Sequence, residues 1–142
     1  MFNPKDVAAK MATGFHQLIY DLSGGKLLGK VGDMPVLELE TTGRKSGKKR
    51  TTMLTTPIHD DERVVIVASY GGDDRHPAWF LNLRDNPDVS VTMDGQTRDM
   101  TARIATDDER ADLWPQVTAK YKGYAGYQDK TDREIPLVIL SD

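Results

Sequence analysis

The chain has no cysteine and no long apolar run. Without cysteine it cannot form disulfides, thiolate metal sites or a cysteine nucleophile, which is compatible with a cytoplasmic location. No apolar stretch approaches the roughly 18 residues that a membrane-spanning helix needs. The first residues also lack the continuous apolar segment and the cleavage site of a signal peptide. Together these absences predict a cytoplasmic protein.

The signatures of several common catalytic sites are absent as well. His16, His59 and His76 lie far apart and form no i,i+4 pair, so we expect no metal centre. Residues 43–49 imitate a phosphate-binding P-loop, but the glycines are too close together and Lys49 stands where a magnesium-binding hydroxyl belongs. Neither G-x-G-x-x-G nor G-x-S-x-G occurs, so neither a Rossmann site nor a hydrolase nucleophile elbow is supported.

Length and charge place the chain among single-domain globular proteins. The 142 residues predict one domain over 1–142, in which residues 1–30 form an N-terminal helical segment. The net charge of −3 argues against a protein that coats DNA or RNA, so we expect no nucleic-acid partner. Helical spacing of apolar residues from Pro4 to Leu22 predicts a helix that either packs on the domain or makes peripheral contact with a membrane or partner. The oligomeric state is left open.

From residue 35 onward the pattern changes from helical to alternating. Asp94-Gly95 predicts a tight hairpin turn. Thr106 with Glu109 predicts a capping box that opens a helix, which Pro115 should kink or divide. The predicted strands are 35–42, 51–58, 63–69, the two arms of a hairpin over 88–105, and 135–142, with helices over 76–87 and from residue 107. This order predicts an α+β domain built on a small, mostly antiparallel barrel with flanking helices.

A basic turn separates the first two predicted strands. Its cations, with no acidic residue among them, are Arg44, Lys45, Lys48, Lys49 and Arg50. Arginine forks, lysine ammonium groups, the Ser46 hydroxyl and the backbone amides beside Gly43 and Gly47 can close around an oxyanion. The same residues also fit a solvated turn or a nucleic-acid contact, and composition alone does not choose among the three.

A tyrosine-rich segment lies near the end of the chain. Tyr121, Tyr124 and Tyr127 recur every three residues with glycines between them. Because glycine disfavours a rigid helix, we expect a mobile or loosely helical segment. Three phenols on one side would line a pocket for a flat ligand, but they fit equally well a helix end packed on the core.

Several stretches together resemble a known family. They are, in chain order, "DLSGGKLLGKVGDMPVLELE", "ETTGRKSGKKRTTML", "RVVIVASYGG", "HPAWFLNLRDNPDVSV", "ATDDERADLWPQV" and "YKGYAGYQDKTDREIPLVIL". In order and approximate spacing they resemble the deazaflavin-dependent nitroreductase family, the coenzyme F420-dependent reductases of split β-barrel fold. The resemblance covers about residues 20–142.

The resemblance implies a cofactor and a reaction. Members of that family bind coenzyme F420, a deazaflavin with an anionic phosphate and oligoglutamate tail. They transfer hydride from its reduced form to a small-molecule acceptor, which is a quinone, an activated enone or a nitroaromatic compound. Relatives that activate nitroimidazoles often carry a tyrosine where this chain has Thr55 and Thr56, which leaves nitroimidazole reduction open. The alternatives are a barrel that binds F420 or FMN without redox turnover and a module that binds nucleic acid or a membrane surface.

Carried over position by position, the resemblance also implies site residues. The phosphate and tail would be held by Arg44, Lys45, Ser46 and Arg50. Further cofactor contacts would come from Thr51, Thr52, Met53, Leu54, Thr55 and Thr56, from Val67, Ala68, Ser69 and Tyr70, and from Ala78, Trp79 and Asn82. Tyr124 would border the substrate pocket beside Tyr121 and Tyr127. As a mechanistic hypothesis, the hydroxyl of Tyr124 or Ser69 is catalytic and donates to the oxyanion that develops on the acceptor, with solvent as the alternative proton source.

Overall fold

The computed structural model describes residues 30–31 and 34–142. The helix expected over Pro4–Leu22 lies outside these residues. The strands, β1 to β8, are Lys30–Val31, Met34–Thr42, Lys49–Thr55, Ile58–His59, Arg63–Val67, Asp88–Met93, Gln96–Ile104 and Leu137–Ser141; the helices, α1 to α3, are Ala78–Asp85, Asp107–Lys120 and Gly123–Asp129. A 3₁₀ turn, Tyr70–Gly72, follows β5. Among the described residues, no helix is both long enough and apolar enough to cross a bilayer.

The strands form one eight-stranded sheet, and each pairing within the described residues is antiparallel. Its order is β1-β2-β6-β7-β8-β5-β4, with β3 attached to β2. The long strand β2 pairs with β3 along residues 36–42 and with β6 along residues 38–40, so it has neighbours on both edges. This arrangement confirms the α+β class and the antiparallel sheet that the sequence predicts.

Strands β5 and β8 lie at the centre of the packing. The side chains of Val64, Val65, Ile66 and Val67 are at most 6% exposed, so β5 is buried on both faces, as its unbroken apolar run predicts. Val64 and Ile66 pack in the barrel core with α1, whereas Val65 and Val67 pack in a second core with Leu113 of α2. The two strands therefore separate two hydrophobic cores.

Local sequence signals mark several of the turns. Asp94 and Gly95 have φ of 53° and 77°, the backbone that a tight primed turn needs, so the predicted hairpin is confirmed. The strand expected over 51–58 is interrupted instead, because β3 ends at Thr55 and Pro57 provides no backbone donor. The Thr56 N–H donates to the Pro35 carbonyl, 3.1 Å away, and so continues the pairing of β3 with β2 by one residue before the chain enters β4.

Helix α2 begins at the predicted capping box. The Thr106 hydroxyl accepts from the Glu109 N–H, and the Glu109 carboxylate accepts from the Thr106 N–H. Pro115 was expected to kink or divide the helix; it does not divide it, since α2 continues to Lys120. Two side chains bond to other carbonyls near the proline: the Gln116 amide donates to the Asp112 carbonyl, and the Thr118 hydroxyl donates to the Trp114 carbonyl at 3.1 Å.

Glu109 also makes two short hydrogen bonds with the Arg103 guanidinium of β7, at 2.6 and 2.7 Å. These bonds, followed by the one from the Thr106 backbone, lower the pKa of Glu109 from 4.5 to about 2. Because the pKa of Glu109 is lower in the folded state, the ionised carboxylate stabilises the fold. This stabilisation is complete above pH 4.5 and is lost as the pH falls towards 2.

Replacing Glu109 with Gln should therefore lower the melting temperature at pH 7, and the difference from the wild type should shrink as the pH falls from 4.5 to 2. Thermal melts followed by circular dichroism over this pH range would measure it. Asp108→Asn is the control, since it removes the same charge from the same helical turn and leaves the Arg103 pair intact. A constant difference across the range would contradict the pKa of Glu109.

Candidate functional site

An open cavity of about 910 Å³ lies beside the sheet. This volume is in the range that accommodates a cofactor-sized ligand. Its walls come from β2, the basic turn, β3, the end of β5 with the following 3₁₀ turn, the start of α1, and the tyrosine segment. The lining residues are Met34, Val36, Thr41, Gly43, Arg44, Lys45, Ser46, Arg50, Thr51, Thr52, Met53, Leu54, Thr55, Val67, Ser69, Tyr70, Gly71, Pro77, Ala78, Trp79, Asn82, Tyr121, Tyr124 and Tyr127.

The basic turn is a closed loop. The Gly43 N–H donates to the Lys48 carbonyl at 2.8 Å, and the Gly47 N–H donates to the Gly43 carbonyl at 2.9 Å. Gly47 has a φ of 70°, which glycine adopts without strain. A side chain at Gly43 would meet the Ser46 hydroxyl at 2.7 Å. The glycines therefore permit the turn to close tightly while its cationic side chains remain exposed.

Asn82 of α1 holds the basic turn through hydrogen bonds to Arg44. Its side chain is 5% exposed, and its amide oxygen accepts the Arg44 backbone N–H at 3.1 Å. The Arg44 guanidinium lies 3.5 Å from the same oxygen. The Asn82 amide nitrogen donates to the hydroxyl of Thr41, which is also buried. A buried amide needs such partners, so Asn82 both lines the cavity and orients Arg44.

The three tyrosines form one wall of the cavity. Their ring centroids are 5.1 Å apart for Tyr121 and Tyr124, 6.5 Å for Tyr121 and Tyr127, and 6.3 Å for Tyr124 and Tyr127. Tyr124 and Tyr127 lie in the short helix α3, which is more regular than the loosely helical segment that the glycines predict, and Tyr121 lies just before it, at the end of α2. A side chain at Gly123 would lie 2.4 Å from the Tyr121 ring, so glycine is needed there for the ring to pack.

Tyr124 has the most enclosed phenol of the three. Its side chain is 5% exposed, and its hydroxyl lies 2.9 Å from the Thr55 hydroxyl and 3.7 Å from the Met34 sulfur. Burial raises the pKa of Tyr124. A hydrogen bond with Tyr121, and then burial, raise the pKa of Tyr127 to about 12. Both phenols are therefore protonated near neutral pH and can donate hydrogen bonds.

The cationic and tyrosine-lined regions lie at opposite ends of β3. Arg50 pairs with Thr41 beside the basic turn, and Thr55 pairs with Val36 beside Tyr124. At about 3.3 Å per residue, the extended strand separates these positions by roughly 16 Å. Met53 packs with Val36 between the two ends. The cavity is thus cationic at one end and aromatic at the other.

The structure brings most of the predicted site residues to this cavity. Two do not line it. Thr56 is fully buried, with its hydroxyl 2.7 Å from the Val65 carbonyl, and Ala68 is fully buried in the barrel core. Both lie next to lining residues, but the alternation of the chain turns them inward. Lys48 and Lys49, which the family resemblance does not assign to the site, are not among the lining residues.

Several lining residues were not predicted, namely Met34, Val36, Thr41, Gly43, Gly71 and Pro77. A signal for Val36 is present in the sequence. Once β2 and β3 are paired across the basic turn, Val36 faces Thr55 directly, and Met34 lies on the same face of β2 two residues earlier. The register of the hairpin, which the sequence does not specify by itself, is what reveals them.

The fold and the cavity together define a split-barrel protein with a site for a small molecule. The sequence model of the family described as F420H(2)-dependent quinone reductase matches residues 14–142. The F420H(2)-dependent quinone reductase Rv1261c of Mycobacterium tuberculosis is 38% identical over 130 residues, which are 89% of this chain and 87% of that protein. The chain belongs to the F420H2-dependent quinone reductase family.

Solved structures support the same assignment. An F420-H2 dependent reductase, FDR-A, superposes with a TM-score of 0.68 at 42% identity, over 75% of this chain and 94% of that one. A structure described as a domain-swapped dimer has a TM-score of 0.70 at 38% identity, over 98% of this chain and 100% of that one. The predicted resemblance, the split-barrel fold and coenzyme F420 as the family's cofactor are thereby confirmed.

The 3₁₀ turn meets α3 at Gly72, which lies against the Tyr127 backbone. Gly72 has a φ of 85°, and a side chain there would lie 2.8 Å from the Tyr127 carbonyl oxygen. Gly72→Ala should therefore destabilise the protein by about 1–3 kcal/mol, because the backbone is left-handed and the carbonyl cannot move cheaply. The free energy of unfolding in urea measures the effect.

Gly126 provides the matched control inside α3. Among the described residues, and apart from its chain neighbours and the backbone of its own helix, no atom lies within 4 Å of a Cβ placed there. Gly126→Ala should therefore stabilise the protein by about 0.5–1 kcal/mol through the lower entropy of the unfolded chain. Similar changes in the free energy of unfolding in both variants would show that the close approach at Gly72 does not affect stability.

Proposed function

We propose that the protein uses reduced coenzyme F420 to reduce a quinone. The observation that carries this proposal is the polarity of the cavity along β3, with exposed cations beside Arg50 and the buried phenol of Tyr124 beside Thr55. A flat ring system attached to an anionic phosphate and glutamate tail matches both ends. When bound, the reduced deazaflavin supplies the hydride, and the residues of the chain bind, orient and donate.

The cationic end suits the anionic part of the cofactor. Within residues 30–31 and 34–142, neither Lys45 nor Arg50 forms an ion pair, so their charges are free to meet a phosphate or carboxylate. The hydrogen bonds to Asn82 orient Arg44 at the same end. Ser46 adds a hydroxyl in the turn. These donors are the types that bind phosphate and carboxylate through charge-assisted hydrogen bonds.

The middle of the cavity suits a flat ring. Met53 and Leu54 of β3 line one side, and Val67, Ser69 and Trp79 line others. Apolar and aromatic side chains exclude water from a planar ligand, and the few polar groups fix its orientation. Ser69 is 9% exposed and lines the cavity, so its hydroxyl is a polar group that can orient the ring.

The aromatic end suits proton or hydrogen-bond donation to the acceptor. Thr55 can donate to the Tyr124 oxygen, which leaves the Tyr124 proton directed at a weak acceptor, the Met34 sulfur. A quinone oxygen that gains negative charge is a better acceptor than a thioether, so Tyr124 would donate to it. Activated enones and nitroaromatic compounds develop the same charge on oxygen and belong to the same proposal as further acceptors.

The direct test is to mix the purified protein with F420 and, in parallel, with FMN, and to follow cofactor fluorescence. Menadione is then added to the complex with reduced F420, and reoxidation is followed with and without protein. We expect selective binding of F420 and protein-dependent reoxidation. Binding without accelerated reoxidation would contradict the reductase and favour a carrier.

Replacing both Lys45 and Arg50 with Ala should weaken F420 binding by at least about tenfold at low salt, since each loses a hydrogen bond to a charged group. The loss should become smaller as salt is added, because ions screen the exposed charges. Fluorescence titration at several ionic strengths measures both effects. The matched control is Lys48→Ala with Lys49→Ala, which removes the same net charge from residues that do not line the cavity. Equal losses in the two double variants would indicate a general charge effect.

Tyr124→Phe keeps the ring and removes the hydroxyl. Turnover with menadione should fall by about 10²-fold, while F420 affinity should change little, because the cationic end is intact. Stopped-flow reoxidation and fluorescence titration separate the two quantities. Tyr121→Phe, which removes a more exposed hydroxyl from the same wall, should cause a smaller loss. Wild-type turnover in Tyr124→Phe would exclude Tyr124 as the donor.

A further inference from the structure

The turn that follows β5 has an unusual backbone. Tyr70, Gly71 and Gly72 have φ values of 46°, 64° and 85°, so three successive residues are in the left-handed region. Glycine adopts this region freely, but a tyrosine there is strained by about 1 kcal/mol or more. The Gly72 N–H donates to the Ser69 carbonyl at 2.9 Å, and the Asp73 N–H donates to the Tyr70 carbonyl at 3.1 Å. We call residues 69–73, which include the 3₁₀ turn Tyr70–Gly72, the left-handed turn.

Arg133, in the loop between α3 and β8, holds both ends of this turn. Its Nη2 donates to the Ser69 carbonyl at 2.9 Å, and its Nε donates to the Asp73 carbonyl at 2.8 Å. A planar guanidinium presents these donors in a fixed geometry. The two carbonyls belong to the first and last residues of the left-handed turn, so one rigid group sets the distance between them.

A third contact orients the guanidinium. Its Nη1 lies 3.4 Å from Nδ1 of His76, and because arginine can only donate, His76 must accept with a neutral ring. Burial, and then the charges of Arg133 and Arg84, lower the pKa of His76, which is consistent with a neutral ring. The imidazole packs against Phe80 of α1, with ring centroids 4.7 Å apart. Arg133 is therefore supported from the side of α1.

The backbone of Arg133 is tied to α3. Its carbonyl accepts from the Gln128 side-chain amide at 2.6 Å, and its N–H donates to the Thr131 hydroxyl at 3.3 Å. Gln128 is in the helix that carries Tyr124 and Tyr127. One residue thus connects the wall formed by Ser69 and Tyr70 to the wall formed by the tyrosines.

We propose that Arg133 is a positioning residue for the reduction: its guanidinium fork fixes the left-handed turn relative to α3, and so sets the relative positions of Ser69 and Tyr124 across the cavity. Arg133 is not among the residues that line the cavity, so it acts through the groups that it holds. The inference rests on the proposed reductase function. It concerns hydride transfer rather than cofactor affinity, because the cations that would hold the anionic tail lie on the basic turn.

The experiment compares Arg133→Ala and Arg133→Lys with Arg98→Ala. Arg98 is the matched control, since it also donates to a main-chain carbonyl, that of Asp61, and to a carboxylate, that of Asp142, and it does not line the cavity. Hydrogen exchange of the Gly72 and Asp73 amides is measured by mass spectrometry on the protein without F420. F420 affinity, kcat and KM with menadione are measured on the same samples.

In Arg133→Ala we expect exchange in the left-handed turn to accelerate by at least about tenfold, and kcat to fall by about 10²-fold from misplacement of the reacting groups. F420 affinity should change by less than about threefold, since the charge-assisted contacts remain. Arg133→Lys should also lose turnover, because an ammonium cannot span both carbonyls. Millimolar ethylguanidinium should restore part of the turnover of Arg133→Ala, and Arg98→Ala should retain normal exchange and turnover.

Two results would overturn the proposal. One is wild-type exchange of the left-handed turn in Arg133→Ala, which would show that the fork does not hold it. The other is a loss of turnover that Arg98→Ala shares and that ethylguanidinium does not restore, which would reduce Arg133 to a general contribution to stability. The exchange experiment needs no cofactor. It therefore tests whether Arg133 holds the left-handed turn even if the wild-type protein fails to reduce menadione and the proposed function itself is wrong.

Discussion

The pairing of β5 with β8 is the constraint on which the site depends. Val67 faces Leu137 in the antiparallel ladder, and the Ala68 N–H extends the pairing to the Pro136 carbonyl. Because paired antiparallel strands end side by side, the left-handed turn after β5 must lie next to the loop before β8. That loop contains Arg133. Burial on both faces leaves the pair no room to slip, since a shift of one residue would exchange the two hydrophobic cores.

Around this fixed centre, the cavity combines groups that stay apart in the sequence. The basic turn is held by Asn82 of α1, and the tyrosine wall is held by Thr55 of β3 and by the close approach of Gly72 to α3. Most of these contacts are single hydrogen bonds, each worth about 1 kcal/mol. They depend on a barrel whose apolar burial provides the stability, so polar residues in the wall can be kept for orienting ligands.

How far the sequence predicts the structure depends on the range of the interaction concerned. The Asp94-Gly95 turn and the Thr106 capping box are set by residues within a few positions of each other, and both were predicted correctly. Pro115 was expected to kink or divide α2, but the helix continues through it to Lys120. Thr56 was assigned to the site together with its neighbours, although it is fully buried and its hydroxyl donates to the Val65 carbonyl of β5. Which residues of an extended segment are buried and which line the cavity depends on the elements that pack against it, and these lie elsewhere in the chain.

The sequence by itself determined the antiparallel α+β class, the two chemically distinctive segments and, through its resemblance to a family, the F420-dependent class to which the chain belongs. The tertiary structure decided what those segments do together. It placed the basic turn and the tyrosine wall at opposite ends of β3, and it paired Arg133 with carbonyls up to 64 positions earlier in the chain. Local preferences follow from neighbouring residues, whereas the shape of a cavity follows from which strands pair and in what register.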